Sequence, residues 1–243
     1  MKTMILIGSL ILSTFLPLRA DMRVQEIRKT EEHTMMGRTV PAKEESVTTW
    51  ISQQTIRSKG AENDILIRSD DGAIFVIDHK KKEYRKMPDQ MYTDSMKKQM
   101  EELPPGMADK MKQMMEMKVT IQPTNETATV NGWRSRKYTQ TIETEMGTTV
   151  TQLWATKQVD IAPELMASFM TAFYKSGPMA QISGNMLSEM EKIDGFVVKS
   201  STTTTIMGTQ IESSSEVVDV KENAQPPEGI YELPQDYQQG EWK

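Results

Sequence analysis

Asp64-Ile65-Leu66-Ile67-Arg68-Ser69-Asp70-Asp71-Gly72-Ala73-Ile74-Phe75-Val76-Ile77 is the stretch that decides the fold. Two runs of β-branched and aromatic residues flank an Asp-Gly turn. Branched side chains suit a pleated surface, and glycine reaches the turn's positive φ without steric cost, so the stretch predicts an antiparallel hairpin. Toward the N-terminus, Val47-Thr48-Thr49-Trp50-Ile51 and Gln54-Thr55-Ile56-Arg57, closed by Lys59-Gly60, read as two more strands. Met22 to Gln25 alternates apolar with polar but loses phase at Glu26-Ile27, and Glu31-Glu32-His33 reads as a polar connection. Beyond the hairpin, the polar turn His79-Lys80-Lys81-Lys82 leads into an extended Glu83–Met87. Together these segments predict an antiparallel meander.

Residues 87–117 change the rhythm. Met96, Met100 and Leu103, then Met107, Met111, Met114 and Met115, recur at spacings of three and four. That is helical periodicity, and it predicts two short amphipathic helices hinged at Pro104-Pro105. Strands return at 118–121, 127–130, 133–145 and 148–155, with Asn131-Gly132 and Met146-Gly147 as turns. Pro163 is suited to a first helical position, and Leu165, Met166, Phe169, Met170 and Phe173 form an apolar stripe behind it. Ser176-Gly177-Pro178 ends that helix, and Met179, Ile182, Met186, Leu187 and Met190 mark a second. Asp194-Gly195 opens a strand through the Thr202–Thr205 run, the turn Met207-Gly208 follows, and a closing strand passes Val217–Val220. The expected fold class is therefore α+β, antiparallel strands accompanied by amphipathic helices. The expected organisation is a leader at 1–20, one domain at 21–222 carrying the Met-rich insert, and an extended tail at 223–243.

The leader expectation rests on Lys2, the apolar core Met4–Leu12, and Leu18-Arg19-Ala20 before Asp21. The chain has no cysteine, which excludes a lipid-modified N-terminus and disulfide staples, so export predicts a periplasmic protein whose stability comes from its core. No second apolar run reaches the roughly 18 residues of a membrane span, so none is expected in the mature chain. The net charge of −5, more acidic once Lys2 and Arg19 are removed, argues against a nucleic-acid partner held by a broad basic surface.

No catalytic constellation is legible. His33 and His79 have no neighbouring metal-ligand spacing, and a nucleophile elbow, a phosphate-cradling glycine loop and a zinc signature are all missing. Neither a catalytic residue, a cofactor nor a resident metal is expected. Asp70-Asp71-Gly72 reads as a turn, Lys80–Lys82 as a solvated tip and the threonine run as an exposed strand. The 21 methionines are the sharpest local signal. Thioethers suit Cu(I), but at helical spacing they form an apolar face at least as well.

Trp50-Ile51-Ser52 to Ile56-Arg57, Phe75-Val76-Ile77-Asp78 with Lys82 to Tyr84, and Asn131-Gly132-Trp133 to Lys137-Tyr138 recur in a recognisable order. Gln152-Leu153-Trp154-Ala155-Thr156, Ile193-Asp194-Gly195-Phe196-Val197 and Tyr231-Glu232-Leu233-Pro234-Gln235-Asp236-Tyr237 complete the series. The series resembles an exported bacterial family of unknown function, similar in architecture to the periplasmic lipoprotein carriers LolA and LolB. The resemblance implies a curved antiparallel half-barrel, with helices over its concave face that plug an apolar cavity. Residues 87–117 depart from that family's pattern.

The leading expectation is a non-enzymatic periplasmic protein that holds a lipid or acyl chain, its site lined by Leu165, Phe169, Phe173, Met186, Met190, Met111 and Met115. A solid core built from the same residues is the plain structural alternative. Two other readings are an envelope protein that docks a partner through its Met-rich helices, and a methionine-based copper binder.

Overall fold

A computed structural model describes residues 21–35, 37–87, 102–104, 106–107, 117–161, 186–206 and 208–241. The leader expected at 1–20 lies outside them, as do most of the Met-rich insert and the helix expected from Pro163.

The described chain is built on strands. In order they are β1 (Asp21–Thr30), β2 (His33–Met35), β3 (Arg38–Val40), β4 (Lys43–Ile51), β5 (Thr55–Lys59), β6 (Asn63–Arg68), β7 (Ile74–Asp78) and β8 (Glu83–Lys86). After them come β9 (Lys118–Val130), β10 (Trp133–Thr144), β11 (Gly147–Thr156), helix α1 (Met186–Met190), β12 (Phe196–Ile206), β13 (Thr209–Ala224) and β14 (Gln238–Gln239). Twelve strands form one sheet in the order β14-β8-β7-β6-β5-β4-β1-β13-β12-β11-β10-β9, while β2 and β3 pair as a separate hairpin. The sheet is antiparallel except where β14 runs parallel to β8.

The α+β expectation is corrected by this architecture. Regular structure among the described residues is nearly all strand, and their single helix is five residues long and packs beside β9. Among the described residues, apolar side chains are covered instead by curvature of the sheet on its inner face and by the C-terminal tail on its outer face. The physical reason is visible in the long β9–β10 hairpin. Its turn reaches past the ends of β11 and β12 to β13, where Asn131 Nδ2 donates to Val217 O and to Glu216 Oε1, each at 2.8 Å. In a flat sheet three strand spacings would hold those elements about 14 Å apart. The curl gathers Met22, Val24, Ile51, Val130, Val159, Val198 and Val217 into one buried cluster, with Ile56, Trp133, Trp154 and Phe196 against it.

Register assigns the faces, since residues opposite one another in a ladder share a side. Met22 pairs with Ile51, Ile51 with Ile56, Ile56 with Ile67 and Ile67 with Ile74. These define the inner face. Trp50 pairs with Arg57, Arg57 with Leu66 and Leu66 with Phe75, which define the outer face. Strand β1 runs unbroken along β4, and the phase loss at Glu26-Ile27 coincides with a bulge on β13, where Gln25 faces Asp219 but Glu26 faces Val217.

Local chemistry fixes the turns. Asn131 (φ 46°) and Gly132 (φ 91°) both take the left-handed conformations that a tight hairpin turn requires. The β6–β7 loop is longer than a two-residue turn, with Asp71 Oδ1 accepting from Ala73 N at 2.9 Å and Arg68 N donating to Ala73 O. The segments expected as two strands at 118–121 and 127–130 form the single β9, irregular between Pro123, opposite Tyr138, and Thr127, opposite Arg136. Pro123 is tolerated there because β9 is an edge strand.

Gly147 has a different role, since a Cβ built on it would collide with the backbone carbonyl of Thr205 on β12. Gly147→Ala is expected to cost about 3 kcal/mol, because two main chains must part. Thermal unfolding checks this, and a variant as stable as the parent would show that the strands part freely.

Candidate functional site

The inner face has three zones. On β5–β7, Ile56, Ile65, Ile67 and Val76 lie in register on this side. Their neighbours Leu66, Phe75 and Ile77 are buried on the outer side, yet Ile65 is 39% exposed and Ile56, Ile67 and Val76 stay half-buried. The buried cluster around Val24 and Val217 forms the middle zone. On β10–β13 the same face turns polar. There Thr149 Oγ1 bonds Thr204 Oγ1 at 3.2 Å, Thr151 Oγ1 bonds Thr202 Oγ1 at 3.0 Å, and Ser200 Oγ bonds Ser215 Oγ at 2.9 Å. The Thr202–Thr205 run alternates, with Thr202 and Thr204 inward, so half of the run expected to be exposed looks into the sheet's hollow.

Of the seven expected lining residues, Leu165, Phe169, Phe173, Met111 and Met115 lie outside the described residues. Met186 and Met190 sit on α1, both half-buried. Met190 packs against Ile121, Tyr138, Leu153 and Ala155, together with Ile193 and Val197. Glu189 ties the helix down, accepting from the main-chain N–H of Ile121 at 2.7 Å and from Lys192 Nζ at 2.5 Å. The Lys192 ammonium, then the Ile121 amide, hold the Glu189 carboxyl below its ordinary range. A depressed carboxyl contributes stability above its unfolded pKa and loses it as pH falls through the folded value. Protection of the Ile121 amide is therefore expected to fall on acidification, and to fall several-fold at neutral pH in Glu189→Gln. Hydrogen exchange at that amide, corrected for intrinsic rate, checks both, and unchanged protection would dissociate α1 from the edge.

A second cluster lies on the outer face. Arg57 Nε and Nη2 donate to Asp64 Oδ2 at 3.0 and 2.7 Å, and Arg57 Nη1 donates to the carbonyls of Ile230 at 3.1 Å and Glu232 at 2.7 Å. His79 Nε2 bonds Asp64 Oδ1 at 2.9 Å, and its Nδ1 bonds the Tyr237 hydroxyl at 3.0 Å. An ionised Asp64 only accepts, so Nε2 carries the hydrogen, and in the neutral ring Nδ1 accepts from Tyr237. Asp64 is 0% exposed and both its oxygens are engaged, which leaves a substrate no approach. The four groups clasp the C-terminal tail onto the sheet. Ile230 and Tyr231 cover Trp50, and Leu233 and Tyr237 pack with Leu66, Phe75 and Ile77. The Tyr231 hydroxyl donates to Asp21 Oδ2 at 2.9 Å, and burial, then that carboxylate, raise its pKa above the ordinary phenol value.

Sequence reasoning read His79 as a turn residue and passed over the inward isoleucines. The usable signal was the two-sided apolar character of Ile65-Leu66-Ile67, which requires contacts on both faces of β6. Among the described residues, no group of three or more His, Asp or Glu is placed to hold a metal ion, and no helix is long and apolar enough to cross a membrane.

No family model matches the chain, and no curated protein matches it in sequence. Solved structures similar to it include a domain from Vibrio parahaemolyticus assigned as an outer membrane lipoprotein-sorting protein. Its identity is 7% and its TM-score 0.33, over 88% of this chain and 89% of that one. A DUF1329 family protein from Desulfovibrio piger has 10% identity and a TM-score of 0.33, over 89% of this chain and 91% of that one. Among the structures this chain is similar to are a lipoprotein-sorting domain and a DUF1329 family protein.

Proposed function

We propose that the protein is a non-enzymatic periplasmic binding protein that holds an acyl chain or lipid against the inner face of its sheet. The observation that carries this reading is the asymmetry of β5–β7. Their outer face is buried beneath the tail, while Ile56, Ile65, Ile67 and Val76 keep apolar surface uncovered on the inner side. Contiguous apolar surface left open in a water-soluble fold is a binding feature. An acyl chain matches it, since about ten methylenes at roughly 0.8 kcal/mol each supply about 8 kcal/mol, the scale of micromolar affinity. The export leader read in residues 1–20 supports the periplasmic setting.

The test is titration with the neutral apolar fluorophore N-phenylnaphthylamine, repeated on Ile65→Glu with Ile67→Glu. Wild type is expected to bind, and the variant to lose about tenfold in affinity or more while keeping its far-ultraviolet dichroism. A folded wild type that binds no fluorophore and carries no lipid in native mass spectrometry overturns the reading.

A further inference from the structure

The binding reading leaves the ligand's polar end open, and the border of the isoleucine patch bears on it. Ser58 pairs with Ile65, Ile65 with Val76 and Val76 with Arg85, so these side chains share one face across β5–β8. A second row, Ile56, Ile67 and Ile74, lies two residues along the same strands. Arg85 therefore stands one strand spacing from Val76, about 5 Å, and two from Ile65, about 10 Å. It is the one cation of β5–β8 on that side. Arg57 pairs with Leu66, Lys59 with Asp64 and Lys86 with Phe75, all on the outer face. Arg68 lies over the Phe75 ring, 5.5 Å from its centroid.

Arg85 is held in place and still has donors to give. Its Nη2 donates to Glu83 Oε2 at 2.8 Å, and both side chains are largely covered. The tail closes on the same pair. Gly240 N donates to Tyr84 O at 2.9 Å, and a Cβ built on Gly240 would lie 3.0 Å from Arg85 Nε and 3.1 Å from Glu83 Oε2. Nε is shielded from solvent there and makes no hydrogen bond among the described residues. A guanidinium carries five N–H donors, and Glu83 takes one of them. Both Nη1 hydrogens and the second Nη2 hydrogen remain, and together they form the end-on fork that a carboxylate accepts with two oxygens. The other carboxylate on that face is already matched. Asp78, opposite Glu83, accepts from Lys81 N at 2.9 Å and lies 3.5 Å from Lys81 Nζ. A ligand carboxylate can therefore join Arg85 without displacing Glu83.

Resting on the binding reading above, we infer that the ligand is a single-chain amphiphile with a carboxylate head, of the free fatty acid class. The carboxylate pairs with Arg85, and the chain runs from there over Val76, Ile65 and Ile67.

The experiment is displacement of N-phenylnaphthylamine from the full mature chain at neutral pH by dodecanoate, its methyl ester and a lysophosphatidylglycerol of the same chain length. Dodecanoate is expected to act at concentrations about tenfold lower than the ester, which keeps the chain and lacks the charge. Arg85→Gln is expected to bring that ratio close to one by weakening dodecanoate alone. Arg136→Gln, at an exposed arginine of β10, is expected to leave the ratio unchanged. Should Arg85→Gln fold poorly, Glu83→Gln reads the same contact from its other side. It removes the competing anion, and is expected to raise dodecanoate affinity about threefold with the ester unchanged. Equal potency of acid and ester, or greater potency of the lysophospholipid, overturns the carboxylate inference and leaves acyl binding standing. So does a preference that survives Arg85→Gln, one that Arg136→Gln removes, or weaker dodecanoate binding in Glu83→Gln. Failure of the fluorophore and all three ligands to bind overturns the binding reading, and the carboxylate inference with it.

Discussion

Removal of residues 225–243 is expected to abolish cooperative folding. The tail supplies Ile230 and Tyr231 to the patch around Trp50 and Ala224, and Leu233 and Tyr237 to the patch around Leu66, Phe75 and Ile77. Covering one large apolar side chain stabilises by about 1.5–3 kcal/mol, so four contribute about 6–12 kcal/mol. That is comparable to the whole stability of an ordinary domain, about 5–15 kcal/mol. The deletion also strips Arg57 of two carbonyl acceptors and leaves β8 without its parallel neighbour β14. Expression of residues 21–224 followed by urea unfolding checks this. A soluble truncated chain that unfolds cooperatively near the parent's midpoint would show that the tail is a passenger on the sheet.

The same tail shows how far the sequence could be read. Alternation and turn residues are local signals, and they located β4 to β8 and β10 to β13 because each strand's pattern depends on its own residues. The hairpin of β2 and β3 escaped, since its side chains are largely exposed and carry no apolar alternation. Strand β9 was split in two because Pro123 and Asn125 are strand breakers anywhere but on an edge, and edge position is a property of the whole sheet. The placement of β1 between β4 and β13 is likewise a long-range fact. The helical class failed for another reason. Periodicity of three and four reports an amphipathic face, but the inner cluster around Val24 and Val217 draws its residues from strands of the curled sheet. The clasp was invisible because Arg57, Asp64, His79 and Tyr237 are isolated polar residues spread over 180 positions of chain, joined only by the fold.

Asp64→Ala is expected to destabilise the protein by about 3–5 kcal/mol, the usual cost of removing one partner from a buried ion pair. Asp64 is wholly buried and Arg57 is nearly so, and the carboxylate accepts two hydrogens from the guanidinium and one from His79. Alanine leaves the guanidinium facing only the carbonyls of Ile230 and Glu232, which hydrogen-bond it without neutralising its charge. It also frees His79 to turn away from Tyr237, loosening the tail at a second point. The loss should therefore belong to the charge left behind rather than to the pair as such. Replacing both partners, Arg57→Met with Asp64→Leu, removes the orphaned charge and is expected to recover much of the stability, though not the grip on the two carbonyls. Urea unfolding of the two single variants and the double variant closes the cycle. If Asp64→Ala stays within about 1 kcal/mol of the parent, water is solvating Arg57 or a shifted Glu232 is neutralising it, and the Asp64 carboxylate is dispensable to the tail's hold on the sheet.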